Sequence, residues 1–131
     1  MHSNVRDALQ PVLQEALRGH EEAGWMLRVI TTGLDRDPVD AALDAEAVLA
    51  LLDARCRCMA AGTIASNGLA FPEARAALDD PGFSYWAKSA LQETAGMGAD
   101  QARASWAAVC RVLQVNCRLA FEEVRSTPHT A

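Results

Sequence analysis

The sequence feature that most limits the possible folds is the spacing of the apolar residues, which recur every three or four positions along most of the chain. The clearest stretch extends from about Ala99 to Arg125, and its apolar face consists of Trp106, Val109, Cys110, Leu113, Cys117, Ala120, Phe121 and Val124. This is the period of an α-helix, whereas a half-buried strand alternates at every second residue. The pattern therefore predicts an all-α protein.

Composition and capping signals agree with this prediction. Ala, the best helix former, supplies 26 of the 131 residues. The pairs Asp37-Pro38 and Asp80-Pro81 each combine a capping carboxylate with a proline suited to the first helical position, so each predicts a helix start. Gly96 and Gly98 mark the end of the helix that opens at Pro81.

The predicted elements follow from these signals. The periodic stretch from Val5 to Leu34 is one helix, or two helices with a break near Gly19-His20; Pro11 marks a kink or the true start. Further helices are predicted over 38–61, 72–79 and 99–125, and another opens at Pro81, continues through Leu91 and ends at Gly96 and Gly98. Short connections between them predict an antiparallel bundle of four to five helices, a single domain over residues 1–125 with a flexible tail over 126–131.

The helix predicted from Pro38 carries a broad apolar stripe, which we expect to be buried on more than one side. Its members are Val39, Leu43, Ala47, Ala50, Leu51 and Ala54, widened by Leu49, Leu52, Cys56 and Met59.

Two absences bear on where the protein works. No run of 18 apolar residues predicts a membrane-spanning helix, and the N-terminus lacks the unbroken apolar stretch of a signal peptide. We therefore expect a cytoplasmic protein whose four cysteines are reduced thiols. Cys56 and Cys58, two apart on a predicted helix, point in different directions and do not suit one metal ion. Neither a metal nor a cofactor is predicted.

No grouping of residues indicates catalysis. His20 is the only histidine inside a predicted element, and it belongs to neither a zinc-protease motif nor a nucleophile motif. We interpret it as a polar residue at a helix break and predict that the protein is not an enzyme.

The charge of the chain is concentrated in one window. From Asp35 to Asp53 the sequence holds one base, Arg36, against six acids: Asp35, Asp37, Asp40, Asp44, Glu46 and Asp53. That window accounts for the whole net charge of −5, because the other eleven acids and eleven bases cancel. Helix-dipole stabilisation explains acids at a helix start. The later acids either solvate an exposed helix face or meet a basic protein surface. Without a basic stripe, nucleic acid is not an expected partner.

Aromatic residues give the second signal. Phe83, Tyr85 and Trp86 lie close together in a poorly periodic segment rich in proline and glycine. They either cap the end of the bundle or serve as exposed anchors, since tyrosine and tryptophan dominate interface hot spots.

These observations favour a small, acidic, non-catalytic protein-binding domain of the inhibitor, immunity or escort type. Its predicted partner-binding residues are Asp35, Asp37, Asp40, Asp44, Glu46, Asp53, Phe83, Tyr85 and Trp86. The partner is a protein with a basic surface or a second copy of the chain, whose arginines at positions 111, 118 and 125 follow a seven-residue spacing. The alternative is a ligand- or cofactor-binding helical sensor with an interior pocket between helices.

Overall fold

The computed structural model describes residues 3–20, 24–62 and 69–126, with side chains described from residue 7 to residue 123 within these ranges. Those residues form six α-helices: α1 Ser3–Leu17, α2 Gly24–Leu34, α3 Pro38–Ala60, α4 Pro72–Asp79, α5 Tyr85–Glu93 and α6 Ala99–Ser126. No strand occurs among them, so the all-α prediction is confirmed.

The number of helices exceeds the predicted four to five because the first periodic stretch is divided. Helix α1 ends at Leu17, and Gly19 follows with a φ of 81°, a conformation that glycine adopts without steric cost. The break near Gly19-His20 is thereby confirmed. Pro11 lies inside α1 rather than at its start.

The chain forms two compact units, one from residues 1–42 and 108–131 and the other from residues 43–107. Helices α3 and α6 contribute residues to both. The single domain over 1–125 stays a prediction. The predicted tail lies outside the described residues except for Ser126, which ends α6.

Each unit has its own apolar core. The first unit buries residues of α1, α2 and the second half of α6, including Leu9, Met26, Ile30, Val109 and Leu113. The second buries residues of α3, α4 and α5 together with Phe71, Leu91 and Trp106. Trp106 is fully buried, and its indole N–H donates a 2.8 Å hydrogen bond to the Ala45 carbonyl oxygen. Burial of this polar atom therefore leaves no unsatisfied donor.

The face that α3 buries differs from the predicted stripe. The buried side chains are Ala41, Ala42, Ala45, Val48, Leu52, Ala54 and Arg55. Val39 and Leu43, expected in the core, are exposed, and so are Ala50 and Met59. Leu52 and Ala54 are buried as predicted. The rest of the prediction failed because α3 has apolar residues on every side, and its core face carries mostly small alanines. The size of an apolar side chain therefore did not mark the inward direction.

Helix α6 matches its prediction along most of its length. Trp106, Val109, Cys110 and Leu113 are buried, whereas Cys117 and Ala120 are half-buried. Phe121, also expected inside, is 54% exposed. Periodicity predicted the correct face, but it carries no information about where along the helix packing against neighbours ends. Val124 lies outside the described side chains.

One predicted helix start is confirmed and the other is wrong. The Asp37 carboxylate accepts 3.1 Å hydrogen bonds from the backbone N–H groups of Val39 and Asp40, so it caps α3 as predicted. At the second pair, the Asp80 carboxylate accepts from the N–H of Gly82, two residues along the chain. This local turn replaces the predicted cap, and α5 begins only at Tyr85.

None of the helices in the described ranges combines the length and apolar character that crossing a membrane requires.

Candidate functional site

Of the predicted partner-binding acids, the three that belong to the first unit lie around the start of α3. Asp35, Asp37 and Asp40 are all exposed. Asp37 caps the helix, and Asp40 lies in its first turn, where the helix dipole favours negative charge. Neither role removes the carboxylates from solvent, so all three remain accessible to a partner.

The three predicted partner-binding acids of the second unit differ in their surroundings. Asp44 is half-buried and accepts a 2.6 Å hydrogen bond from the hydroxyl of Ser84. Asp53 accepts from the guanidinium of Arg103 at 2.5 Å, an exposed ion pair whose hydrogen bond raises the pKa of Arg103. Glu46 is exposed. Two of the carboxylates that the sequence analysis assigned to partner binding, Asp44 and Asp53, therefore also form bonds within the protein.

The three predicted aromatic residues also occupy different environments. Trp86 is half-buried and packs against Trp106, with ring centroids 5.8 Å apart and an angle of 53° between the ring planes. Phe83 is half-buried. Tyr85, the first residue of α5, is 85% exposed. Trp86 therefore packs against the core through Trp106, whereas the ring of Tyr85 lies almost wholly in solvent.

A hydrogen-bonded link joins the acidic window to the aromatic segment. Ser84 is the N-cap of α5. Its hydroxyl oxygen accepts a 3.1 Å hydrogen bond from the N–H of Ala87, and its O–H donates a hydrogen bond to the Asp44 carboxylate of α3. Leu43 precedes Asp44 in the chain and Tyr85 follows Ser84. Both are exposed, Leu43 to 58% and Tyr85 to 85%. The two parts of the predicted site that lie in this unit therefore meet at the link between α3 and α5.

At the other end of α5, the cation Arg55 is fully buried. Its guanidinium donates to the carbonyl oxygen of Thr94 at 3.1 Å and to the carbonyl oxygen of Met97, while its Nε has no acceptor within the described part of the chain. Burial lowers the pKa of Arg55, but a guanidinium remains protonated at neutral pH. A positive charge at the carboxyl end of a helix is favourable, so Arg55 holds α5 and its following turn against α3.

The surroundings of Cys56, the residue after Arg55, favour its protonated thiol. The Cys56 thiol lies 3.4 Å from the carbonyl oxygen of Ala99 and 3.7 Å from a carboxylate oxygen of Asp100. Burial and then the hydrogen bond to Asp100 raise the pKa of this thiol. Since the thiolate is the reactive form, this environment does not support thiol catalysis.

Two other kinds of site have little support in the described ranges. No group of three or more histidine, cysteine or acidic side chains there is arranged to hold a metal ion. An open groove of about 310 Å³ lies along α2, beside Gly24, Leu27, Arg28, Thr31 and Thr32. Its described lining comes from one helix, so it is a surface groove rather than the interior pocket that the sensor alternative requires.

Sequence reasoning missed Leu43 and Ser84 as residues of this surface, and it missed Arg55 as the buried residue that bonds to the end of α5. Leu43 was assigned to the core by its apolar character. The signal for Ser84 was present, because a serine three residues before Ala87 suits an N-cap, but Asp80-Pro81 matched the same rule earlier in the chain. No local pattern predicted Arg55, since its partners lie about forty residues away.

Comparison of the chain with protein-family models, curated proteins and solved structures finds no match in any of the three.

Proposed function

We propose that this is a non-catalytic, cytoplasmic protein-binding domain, an antiparallel helical bundle that binds a protein partner through the surface around Tyr85. The observation that carries the proposal is the 85% exposure of Tyr85 at the first position of α5. A ring left in solvent contributes little to folding. At an interface, a tyrosine buries a large area with only two side-chain torsions to restrict.

The neighbouring residues suit the same role. Leu43, which precedes Asp44 in the chain, adds exposed apolar surface beside the hydrogen bond between Asp44 and Ser84. Glu46 adds an exposed carboxylate about one turn after Leu43 along α3. An apolar and aromatic centre with acidic residues nearby is complementary to a partner whose own apolar patch is bordered by lysine or arginine. Asp35, Asp37 and Asp40, exposed in the other unit, stay predicted partner-binding residues.

The test compares proteins captured from a cell extract by the tagged parent, by Tyr85→Ala and by Phe121→Ala, using quantitative mass spectrometry. Phe121 is the matched control because it is another exposed aromatic residue, in the other unit. We expect one protein to be retained by the parent and by Phe121→Ala and lost with Tyr85→Ala. A set of captured proteins that is identical for all three would contradict the proposal.

Charge is tested on the same complex. Glu46→Gln should slow association, and Glu73→Gln, which removes an exposed carboxylate from α4, should not. Complementary charges mainly raise the rate at which the two proteins meet. Raising the salt concentration should therefore slow association of the parent in the same way. An association rate that is independent of salt would exclude a basic partner surface.

A further inference from the structure

We infer that Asp44 is a positioning residue: through Ser84 it holds the start of α5 so that Tyr85 is presented to the partner. The inference rests on the proposed function and changes the role of one acid within it. Sequence alone placed Asp44 among the carboxylates that meet the partner.

The geometry at Ser84 carries the argument. One hydroxyl group makes two bonds, donating to the Asp44 carboxylate at 2.6 Å and accepting from the N–H of Ala87 at 3.1 Å. The donor bond is short, as expected for a hydroxyl bonded to an ionised carboxylate. By fixing the direction of the hydroxyl proton, Asp44 also fixes the lone pair that caps α5, and each bond polarises the other.

The position of Tyr85 connects this local arrangement to binding. Tyr85 directly follows Ser84, and its ring makes few contacts that could hold it in place, since it is 85% exposed. The backbone at the start of α5 therefore sets the direction in which the ring projects. Because restricting a side chain before binding lowers the entropy lost on association, a fixed helix start raises the affinity for the partner.

The two roles of Asp44 differ in what an asparagine can replace. The amide oxygen of asparagine accepts the bond from Ser84, but the residue carries no charge. Asp44→Asn should therefore keep the position of Tyr85, whereas Asp44→Ala should lose it. Direct contact between the Asp44 charge and a basic partner predicts the opposite, equal losses for both variants.

The first readout needs no partner. Tyr85 is the only tyrosine in the chain, so ¹³C-labelled tyrosine gives a single ring whose mobility is measured by NMR relaxation. In Asp44→Ala we expect a more mobile ring and an exchange rate of the Ala87 amide raised by up to roughly fivefold, because Ser84 keeps its hydroxyl but loses the acceptor that directs it, a smaller effect than loss of the cap residue itself. Asp44→Asn and the charge control Glu46→Gln should match the parent. An unchanged ring and amide in Asp44→Ala overturn the inference.

The second readout is the association rate with the protein captured in a Tyr85-dependent manner. Ser84→Gly removes the hydroxyl while leaving the Asp44 charge in place, and glycine is tolerated at an N-cap. We expect Asp44→Ala and Ser84→Gly to weaken association to a similar extent and Asp44→Asn to restore it. If Asp44→Asn binds as weakly as Asp44→Ala while Ser84→Gly binds like the parent, Asp44 acts by its charge and the inference is wrong. Retention of the partner by Tyr85→Ala instead overturns the proposed function, whatever the ring and amide show.

Discussion

At the scale of single residues, exposure separates side chains that the sequence treats as equivalent. Leu113 and Phe121 occupy the same predicted face of α6, but Leu113 is fully buried and Phe121 is 54% exposed. Tyr85 and Trp86 are neighbours in an aromatic segment, yet only Trp86 packs against another ring. The spacing of apolar residues predicts which way a side chain points from its helix. How deeply that side chain is buried depends on which other elements cover it.

The difference between Leu113 and Phe121 predicts a difference in stability. Leu113→Ala should lower the free energy of unfolding by about 2–5 kcal/mol, because it removes buried methyl groups and leaves a cavity. Phe121→Ala should cost less than about 1 kcal/mol, since much of that ring is already in water. Urea denaturation followed by circular dichroism measures both. Equal losses in the two variants would show that the assignment of the buried part of α6 is wrong.

The Cys56 thiol predicts a pH effect. Burial and the hydrogen bond to Asp100 raise its pKa in the folded protein, while a thiol in the unfolded chain has a pKa of about 8.5. Stability from this group is therefore fully present below the unfolded pKa and is lost as the pH rises above it.

The measurement compares parent and Cys56→Ala in urea at pH 7 and at pH 10. We expect the stability advantage of the parent to be smaller at the higher pH, because only its unfolded state gains from ionising Cys56. Alkylation of native Cys56 at pH 8 should also be slower than in urea. A parent advantage that grows with pH would contradict the raised pKa.

At the scale of the elements, local sequence predicted the helices well, and it failed where two local rules competed. The bounds of α3, α4 and α6 agree with caps, prolines and periodicity to within a residue or so. The start of α5 was placed too early because Asp80 forms a turn with Gly82, while Ser84, four residues later, caps the helix. The link from Ser84 to Asp44 was unpredictable from local patterns, since it depends on α3 and α5 packing together.

Arg55 makes a prediction at this scale. Arg55→Met keeps much of the side-chain volume but removes the donor to the Met97 carbonyl oxygen and one of the two donors to the Thr94 carbonyl oxygen, which also accepts from the N–H of Met97. We expect a loss of about 1–3 kcal/mol, the usual cost of unsatisfied buried polar groups, and faster amide exchange in residues 94–97. Stability equal to that of the parent would mean that the variant avoids a desolvation cost of the buried guanidinium as large as the contribution of the lost bonds.

At the scale of the whole molecule, the position of the net charge follows from the sequence, but the internal bonds of two of its carboxylates do not. All of the net charge of −5 falls between Asp35 and Asp53. Within that window Asp44 and Asp53 bond to Ser84 and Arg103, whereas Asp35, Asp40 and Glu46 are exposed. A charge count cannot distinguish these cases, because the internal partners of Asp44 and Asp53 lie 40 and 50 residues further along the chain.

The central claim is that a protein partner binds at Tyr85, and site-specific cross-linking tests it most directly. The photoreactive residue p-benzoyl-phenylalanine is placed at position 85 in one sample and at position 121 in another, and each is irradiated in living cells. The account predicts a covalent adduct of one defined mass from position 85 and none from position 121. Adducts from position 121 alone, or no adduct from position 85, would contradict it.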